Sequence, residues 1–429
     1  MGRLRKIYQV LAVASSAQAR WELEASQSIL KNRKKLLILL ALLLPILAVT
    51  IASATVDLPH ILGGKKAYAP ATYTTTIFLS SIGIGLIAGL ITGCIGAGGG
   101  FVIAPALMSA GIKGITAVGT DLFHIFAKAI MGTAVHKKLG NVSTSLAVAF
   151  VFGSVPGALA GGLLNRLLYN MNPVISDTFI SIVYAVLLGF LGFYALADFL
   201  KARKSSDTGG AHGGGPTGDL AGMPKKLQSI NLPPMLHFDE DLVPGGRKLS
   251  AWIVGVCGSF VGLVAAIMGV GGGFLTFPIF VYMLGVSSFT TVGTDILQII
   301  MTAGFASISQ YAIYGFVFYT LAMGMLLGSL IGIQVGALTT KVVRGVYIRA
   351  FYAMAVLAGF INRLFALPKK FGELGWIEIA KSTAGAIDTT GIVLFFIVVT
   401  TFGVFVFSKF FGNIGELRGE EATAKRKVA

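Results

Sequence analysis

The chain is poor in charged residues, and in acidic residues above all. Charged side chains make up 12% of its 429 residues, and only 18 residues are Asp or Glu. Soluble globular proteins carry about 25% charged residues. Together with 55% hydrophobic residues and a mean hydropathy of +0.81, this scarcity excludes an ordinary soluble domain. The composition predicts an all-α polytopic membrane protein, because backbone in lipid must satisfy its own hydrogen bonds.

Cysteine and histidine are scarce as well, with two and five residues. Cys94 and Cys257 lie in apolar segments at unmatched positions, so neither a disulfide nor a metal site is expected. The sequence has no nucleophile elbow, Walker loop or zinc signature, and its glycine-rich phrases do not follow strands. We therefore expect no enzyme, no metal and no cofactor.

The net charge of +16 does not indicate nucleic acid binding. The basic residues lie in short polar segments between apolar runs, as expected of cytoplasmic flanks. The most prominent are Arg3, Arg5, Lys6, Lys31, Arg33, Lys34, Lys35, Lys201, Arg203, Lys204, Lys425, Arg426 and Lys427. We expect a lipid bilayer as partner, no nucleic acid, and cytoplasmic N- and C-termini.

The hydrophobic pattern divides the chain into about twelve apolar segments. They are 36–55, 74–96, 100–112, 115–136, 141–166, 174–199, 249–270, 273–285, 289–313, 316–340, 346–367 and 389–411. The third and eighth are shorter than the roughly 20 residues that span a bilayer, which predicts half-length, tilted or re-entrant helices. Asn165 and Arg166 are interpreted as a helix end.

These segments predict six regions. They are a basic cytoplasmic segment (1–35), a first span and external loop (36–72), a first transmembrane repeat (73–200), a flexible cytoplasmic Gly-rich linker (201–248), a second repeat (249–367), and an external loop, last span and basic tail (368–429).

One glycine-rich phrase occurs twice. The copies are Ile95–Phe101 (IGAGGGF) and Met268–Phe274 (MGVGGGF), and each is followed by a proline and then by Val-Gly-Thr-Asp. The alignment continues through the matched pairs Gly140 and Gly315, Gly153-Ser154 and Gly328-Ser329, Gly157 and Gly332, and Gly161 and Gly336. The chain is therefore a duplicated unit of about five segments with one extra helix at each end, about 10–12 spans in all.

The count of segments predicts how the two repeats are oriented. An odd number of segments per repeat makes the second repeat start on the opposite side of the membrane from the first. Most basic clusters then fall inside, whereas Lys369 and Lys370 fall outside, against the positive-inside rule. Inverted repeats with interrupted helices are typical of secondary transporters, whose substrates bind at the breaks.

The glycine breaks suit an anion site. Glycine lets backbone approach a ligand, and a half-helix that begins at the break directs free N–H groups and a partial positive charge toward it. We expect Phe101 and Phe274 to open the half-helices, with Gly98–Gly100 and Gly271–Gly273 as donors. Close packing of helices through small residues is the alternative.

Polar residues follow each break on one helix face. Asp121, His124 and Lys128 share a face in the first repeat, and Asp295, Gln298 and Thr302 share the equivalent face in the second. We expect the first repeat to hold more of the anion's charge. Alternatively, the aspartates cap their own helices, Lys128 extends to the membrane surface, and His124 is a hydrogen-bonded histidine rather than a proton carrier.

The candidate site comprises both breaks and both polar faces. Its substrate-binding residues are Gly98, Gly99, Gly100, Thr120, Asp121, His124, Lys128, Gly271, Gly272, Gly273, Thr294, Asp295 and Gln298.

The duplicated Gly-x-Gly-Gly-Gly-Phe with a following proline and Val-Gly-Thr-Asp resembles the TauE/SafE family of sulfite exporters, within the 4-toluene sulfonate uptake permease-type superfamily. The resemblance covers roughly residues 75–200 and 250–410. It implies a secondary carrier in a bacterial inner membrane that exports sulfite, sulfoacetate or a related organosulfonate, with proton coupling. An anion channel on the same scaffold and a non-catalytic membrane subunit are the alternatives, and the oligomeric state stays open, including a homodimer.

Overall fold

A computed structural model describes residues 75–95, 99–138, 142–205, 222–239, 246–339, 342–343 and 345–413. The predicted basic segment and first span lie outside these residues. The described chain is nearly all helical. Its elements are α1 (Thr75–Ile95), α2 (Gly100–Ser109), α3 (Gly114–Lys138), α4 (Thr144–Met171), α5 (Pro173–Ser205), α6 (Met223–Gln228), β1 (Met235–Phe238), β2 (Arg247–Ser250), α7 (Ala251–Met268), α8 (Gly273–Pro278, continued by a π-helix over Ile279–Leu284), α9 (Ser288–Phe305, continued by Ala306–Tyr311 and Ala312–Tyr314), α10 (Tyr319–Thr339), α11 (Gly345–Glu373) and α12 (Lys381–Gly412).

The described helices confirm the prediction of an all-α polytopic membrane protein. Seven of them are long and apolar enough to cross a membrane, namely α4, α5, α7, α9, α10, α11 and α12. The short segments of the sequence are the half-helices α2 and α8. Both turn back rather than span: Gly99, before α2, lies against Ala88 and Thr92 in α1.

The two repeats are α1–α5 and α7–α11, and they run in opposite directions. Asp177 at the start of α5 pairs with Lys370 near the end of α11 at 3.6 Å. Gly192, further along α5, packs instead against Leu357, which precedes Lys370 in α11. The equivalent helices α5 and α11 are therefore antiparallel, as the inverted repeat requires.

Glycines bring the repeats together at two equivalent interfaces. In α4, Gly157 lies against the carbonyl oxygen of Ser259 in α7. In α10, the matching Gly332 lies against the carbonyl oxygen of Leu86 in α1. Both contacts join the fourth helix of one repeat to the first helix of the other. Because a side chain would separate the backbones, the sequence needs small residues there.

Helix directions define two ends of the bundle. We call the end where α3, α5 and α12 finish the basic end, and the opposite end the paired end. The basic end carries the linker strands with Arg247 and Lys248. At the paired end, Lys369 and Lys370 contact Asp388 and Asp177 at 3.2 and 3.6 Å. These carboxylates balance the charges of both lysines, so the lysines add no net positive charge at this end.

Part of the linker is structured, contrary to the expectation of a flexible loop. Strands β1 and β2 form an antiparallel hairpin in which Met235 faces Ser250. Asp239, after β1, accepts hydrogen bonds from the backbone N–H and the hydroxyl of Ser287, which caps α9. The end of the linker is thereby attached to the start of a transmembrane helix.

The interpretation of Asn165 and Arg166 as a helix end was wrong. Helix α4 continues to Met171. Asn165 is fully buried and donates to the Tyr311 hydroxyl at 2.9 Å, and Arg166 donates to the side-chain oxygen of Gln310 at 2.7 Å. These polar residues hold α4 against α9, which no single-segment pattern reveals.

Candidate functional site

A left-handed glycine precedes each half-helix, and the half-helices begin at Gly100 and Gly273, one residue before the expected Phe101 and Phe274. Gly99 has φ 68° before α2, and Gly272 has φ 88° before α8. Neither glycine caps its half-helix with a side-chain hydrogen bond, because glycine has no side chain. A positive φ is readily adopted only by glycine, so these positions explain the repeated triplet. Gly98 lies outside the described residues.

The two breaks meet inside the protein. A Cβ built on Gly100 would lie 3.1 Å from the Cα of Val270, in the opposite break. Ile125 of α3 touches both, since its side chain lies 2.8 Å from such a Cβ on Gly100 and 2.7 Å from one on Gly271. The breaks therefore share one buried region between α3 and the two half-helices.

An aspartate faces the start of each half-helix. Oδ2 of Asp121 lies 3.3 Å from a Cβ built on Gly100, and Oδ2 of Asp295 lies 3.0 Å from one built on Gly273. The alternative that these aspartates cap their own helices is wrong. Both lie seven residues after the first residue of their helices, Gly114 in α3 and Ser288 in α9.

The first aspartate belongs to a buried group with unpaired atoms. Asp121 and His124 are both fully buried, and Nδ1 of His124 lies 3.7 Å from Oδ1 of Asp121. Nε2 of His124 lies 3.1 Å from the Ser329 hydroxyl of α10. Neither carboxylate oxygen of Asp121 nor Nδ1 of His124 has a hydrogen-bond partner. A charged carboxylate held in this way is unstable without further compensation.

The second aspartate belongs to a fully connected chain. Asp295 accepts a hydrogen bond from Nε2 of Gln298 at 2.8 Å. Gln298 in turn accepts from the Thr302 hydroxyl at 3.0 Å, and Thr302 lies 2.6 Å from the Ser154 hydroxyl of α4. Thr276 of α8 completes the group, accepting from Gln298 at 3.4 Å. Hydrogen bonds thus join Asp295, Gln298, Thr302 and Thr276 to one another and, through Thr302, to Ser154 of α4.

Sequence reasoning missed the serines and Thr276. Ser329 and Ser154 occupy matching positions directly after the matching glycines Gly328 and Gly153. Each touches the polar face of the third helix in the opposite repeat. The alignment of the two halves contained this signal, since a polar residue matched within apolar helices indicates a shared contact.

The two threonines of the Val-Gly-Thr-Asp phrases position helices. Thr120 accepts a hydrogen bond from the backbone N–H of Phe318 at 2.9 Å, directly before α10. Thr294 accepts one from the backbone N–H of Ser143 at 3.0 Å, directly before α4. Each oxygen therefore satisfies a donor at the start of a fourth helix, and both threonine side chains are fully buried.

Lys128 contacts α1 within the helix bundle rather than extending to the membrane surface. Its Nζ donates to the Thr92 hydroxyl of α1 at 3.3 Å. It also lies within electrostatic reach of Asp121, two helical turns earlier on the same face. Among the described residues, the first break therefore carries one cation and one carboxylate, while the second carries a carboxylate alone.

This arrangement can hold a small anion at backbone donors. The start of a helix offers free N–H groups and partial positive charge, and here two such starts meet in a buried region. Ligand binding at breaks between inverted repeats is the general pattern of secondary transporters.

Comparisons with known proteins agree with the geometry. The sequence model of the family described as sulfite exporter TauE/SafE matches residues 81–362, well over half of the chain. The probable membrane transporter protein YjnA of Bacillus subtilis is 27% identical over 260 residues, which cover 60% of this chain and 89% of that protein. The probable membrane transporter protein YunE of the same organism is 26% identical over 270 residues, covering 61% and 87%.

A relative of lower identity is also described as a membrane transporter. A probable membrane transporter protein of Xylella fastidiosa is 22% identical over 269 residues, covering 62% of this chain and 85% of that protein. The region matched by the family model, residues 81–362, contains both glycine breaks and both third helices. The chain therefore belongs to the TauE/SafE sulfite exporter family and is a multi-pass membrane transporter.

Proposed function

We propose that this protein exports a small sulfur-containing anion, such as sulfite, sulfoacetate or a related organosulfonate, by alternating access. The anion binds between the two glycine breaks, and the two inverted repeats exchange conformations to open the site to either side. The basic end faces the cytoplasm of a bacterial cell, under the positive-inside rule.

The main support for this proposal is the contact between the two glycine breaks. Sulfite and sulfonate groups have several oxygens that accept hydrogen bonds from backbone donors, which fits two helix starts in one buried region. Burial of His124 and Gln298 between the repeats suits a closed state of a carrier, which an open pore would not need. The family's description as sulfite exporters supports the sulfur-containing substrate class.

A substitution at the first break tests the site. Gly100→Ala would place a methyl group between Ile125 and Val270, where the anion's donors converge. We expect it to weaken binding of sulfite or sulfoacetate at least tenfold, measured by calorimetry and by the ligand-induced rise in thermal stability of purified protein. Gly99 is a poorer choice, because its φ of 68° would strain any other residue.

Gly83→Ala is the matched control. A Cβ at Gly83 of α1 would meet nothing within 4 Å, so the variant should bind as the wild type does. Unchanged affinity in a folded Gly100→Ala protein would contradict a site at the breaks. Failure of the wild type to bind any of sulfite, sulfoacetate, thiosulfate, sulfate and taurine would contradict the substrate class.

A further inference from the structure

We infer that Ile125 selects the anion by the size of the group attached to its sulfur atom, so that an anion without an organic tail binds in preference to a longer organosulfonate. This inference rests on the proposed function, because it concerns the same break. It narrows the proposed substrates and names the side chain that discriminates among them.

Ile125 lies where the two breaks meet. It follows Asp121 by four residues, so both side chains lie on the same face of α3. Cδ1 of Ile125 lies 2.8 Å from a Cβ built on Gly100, and its Cγ2 and Cδ1 lie 2.7 and 3.3 Å from one built on Gly271. Contacts this close need glycine as the partner, so the side chain of Ile125 lies directly on the backbone of both breaks.

The start of α2 therefore has a polar and an apolar neighbour on α3. Around the Cβ built on Gly100, Oδ2 of Asp121 lies at 3.3 Å and Cδ1 of Ile125 at 2.8 Å. The Cα of Val270, in the opposite break, lies 3.1 Å from the same point. An anion that accepts hydrogen bonds from the N–H groups of this helix start thus has the side chain of Ile125 beside it.

The chemistry of the sulfur atom gives this apolar neighbour its role. Sulfite and sulfonates share three oxygens on sulfur and differ at the fourth position, which is a lone pair in sulfite and a carbon atom in a sulfonate. When the oxygens accept from the two helix starts, the fourth position points away from those donors. An apolar side chain suits a lone pair or a carbon atom there, whereas a charged group against it would lose its solvation.

The close packing of Ile125 limits the length of a tail at that position. Ile125 is 4% exposed and already touches both breaks, so each carbon atom added to the anion must displace it or separate the half-helices. Overpacking a filled interior by such groups disfavours binding by about tenfold or more. Alanine at position 125 would lack Cγ1, Cγ2 and Cδ1, and each methylene buried in their place would favour binding about fourfold.

The second repeat provides the matched position. Ile299 follows Asp295 by four residues, as Ile125 follows Asp121. Cδ1 of Ile299 lies 3.1 Å from a Cβ built on Gly273, in its own break. The atoms nearest to a Cβ on Gly100 belong instead to Ile125, Val270 and Asp121. The residue that lies on both breaks is therefore the one in the first repeat.

Calorimetry of the purified full chain tests the inference with sulfite and with methane-, ethane- and propanesulfonate. The three alkanesulfonates have the same charge, so only the length of the tail changes along the series. We expect the affinity of the wild type to fall at least tenfold from methane- to propanesulfonate. Ile125→Ala should reverse this order, with affinity rising about fourfold for each added methylene.

Ile299→Ala is the matched control and should keep the order of the wild type, which separates size selection from a general loosening of the core. A folded Ile125→Ala protein with the order of the wild type, or equal affinity of the wild type for all three alkanesulfonates, would overturn the inference and leave the proposed function standing. A reversed order in Ile299→Ala as well would also overturn it.

Two further outcomes are distinguishable. Failure of the wild type to bind sulfite and all three alkanesulfonates would contradict the proposed function instead. If Ile125→Ala does not fold, Ile125→Val decides, because it lacks only Cδ1, the atom closest to Gly100. It should bind ethanesulfonate at least as tightly as methanesulfonate, and the order of the wild type in this variant would overturn the inference.

Discussion

Matching residues in the two repeats have different partners at the breaks. Asp121 and Asp295 face equivalent glycines, yet only Asp295 accepts a hydrogen bond from its own helix, from Gln298. The sequence predicted the asymmetry, because His124 and Gln298 could be aligned. It could not predict that the carboxylates face the half-helices, since that depends on how α3 packs against α2.

The threonines beside these aspartates yield a prediction about stability. Thr120→Val leaves the buried backbone N–H of Phe318 without its acceptor, and Thr294→Val removes the acceptor of the backbone N–H of the half-buried Ser143. An unpaired buried donor costs about 1–3 kcal/mol. Both variants should therefore lower the midpoint of thermal unfolding in detergent, Thr120→Val by more because Ser143 is only half-buried.

Thr390→Val provides the control for these variants. Thr390 is exposed on α12 and its hydroxyl bonds to the backbone oxygen of Ala386 in the same helix, so its loss should change the midpoint little. If Thr120→Val and Thr294→Val had the same midpoint of thermal unfolding as this control, the hydroxyls of Thr120 and Thr294 would have no structural role. A role in contacting the ligand would then gain support.

Among the helices, backbone contacts between the repeats follow one rule. The first helix of each repeat lies against the fourth helix of the other, in parallel, with glycines at the contacts. The sequence predicted the matched glycines but not their contacts: the glycines of α4 and α10 contact backbone of the opposite repeat, whereas Gly99, Gly100 and Gly271–Gly273 lie at the breaks. For the triplets, both a ligand site and close packing stay predictions.

Substitution of these helix glycines should be costly. A Cβ on Gly157 would overlap the carbonyl oxygen of Ser259, and one on Gly332 that of Leu86. Gly157→Ala and Gly332→Ala must separate the helices, and overpacking of this kind costs about 1–3 kcal/mol. We expect both to lower the thermal midpoint and the yield of monodisperse protein.

Gly83→Ala is again the control, because nothing lies near its Cβ. Alanine is favoured over glycine in a helix by about 0.5–1 kcal/mol, so this variant should be at least as stable as the wild type. Equal stability of all three variants would contradict the close approach of the helices.

The turns after the half-helices are held at both ends of the bundle. At the basic end, Arg247 donates to the backbone oxygen of Gly285 after α8, and Asp239 accepts from Ser287 at 2.9 Å. At the paired end, Arg363 donates to Ser109 at the end of α2, and Asp177 accepts from the N–H of Gly114 at 2.7 Å. Linker residues in one case and helix residues in the other make equivalent contacts, which no alignment of the halves predicts.

At the scale of the whole molecule, the odd number of segments per repeat predicted the inverted repeat. That argument needs only the number of segments and the position of basic residues. Opposite directions of α5 and α11 agree with it. The ordered hairpin of the linker could not be predicted, because its stability comes from Asp239 and Arg247 contacting distant backbone. Nor could the partners of Asn165, which lie in α7 and α9.

Transport of sulfite by the purified protein in proteoliposomes tests the central claim most directly. The account predicts saturable efflux of radiolabelled sulfite that unlabelled sulfite on the opposite side accelerates, because a carrier with one site returns faster when loaded. Protein-free vesicles and Gly100→Ala protein should both lack this acceleration. A flux that rises linearly with concentration and ignores sulfite on the opposite side would indicate a channel, and no flux above the protein-free vesicles would contradict sulfite transport altogether.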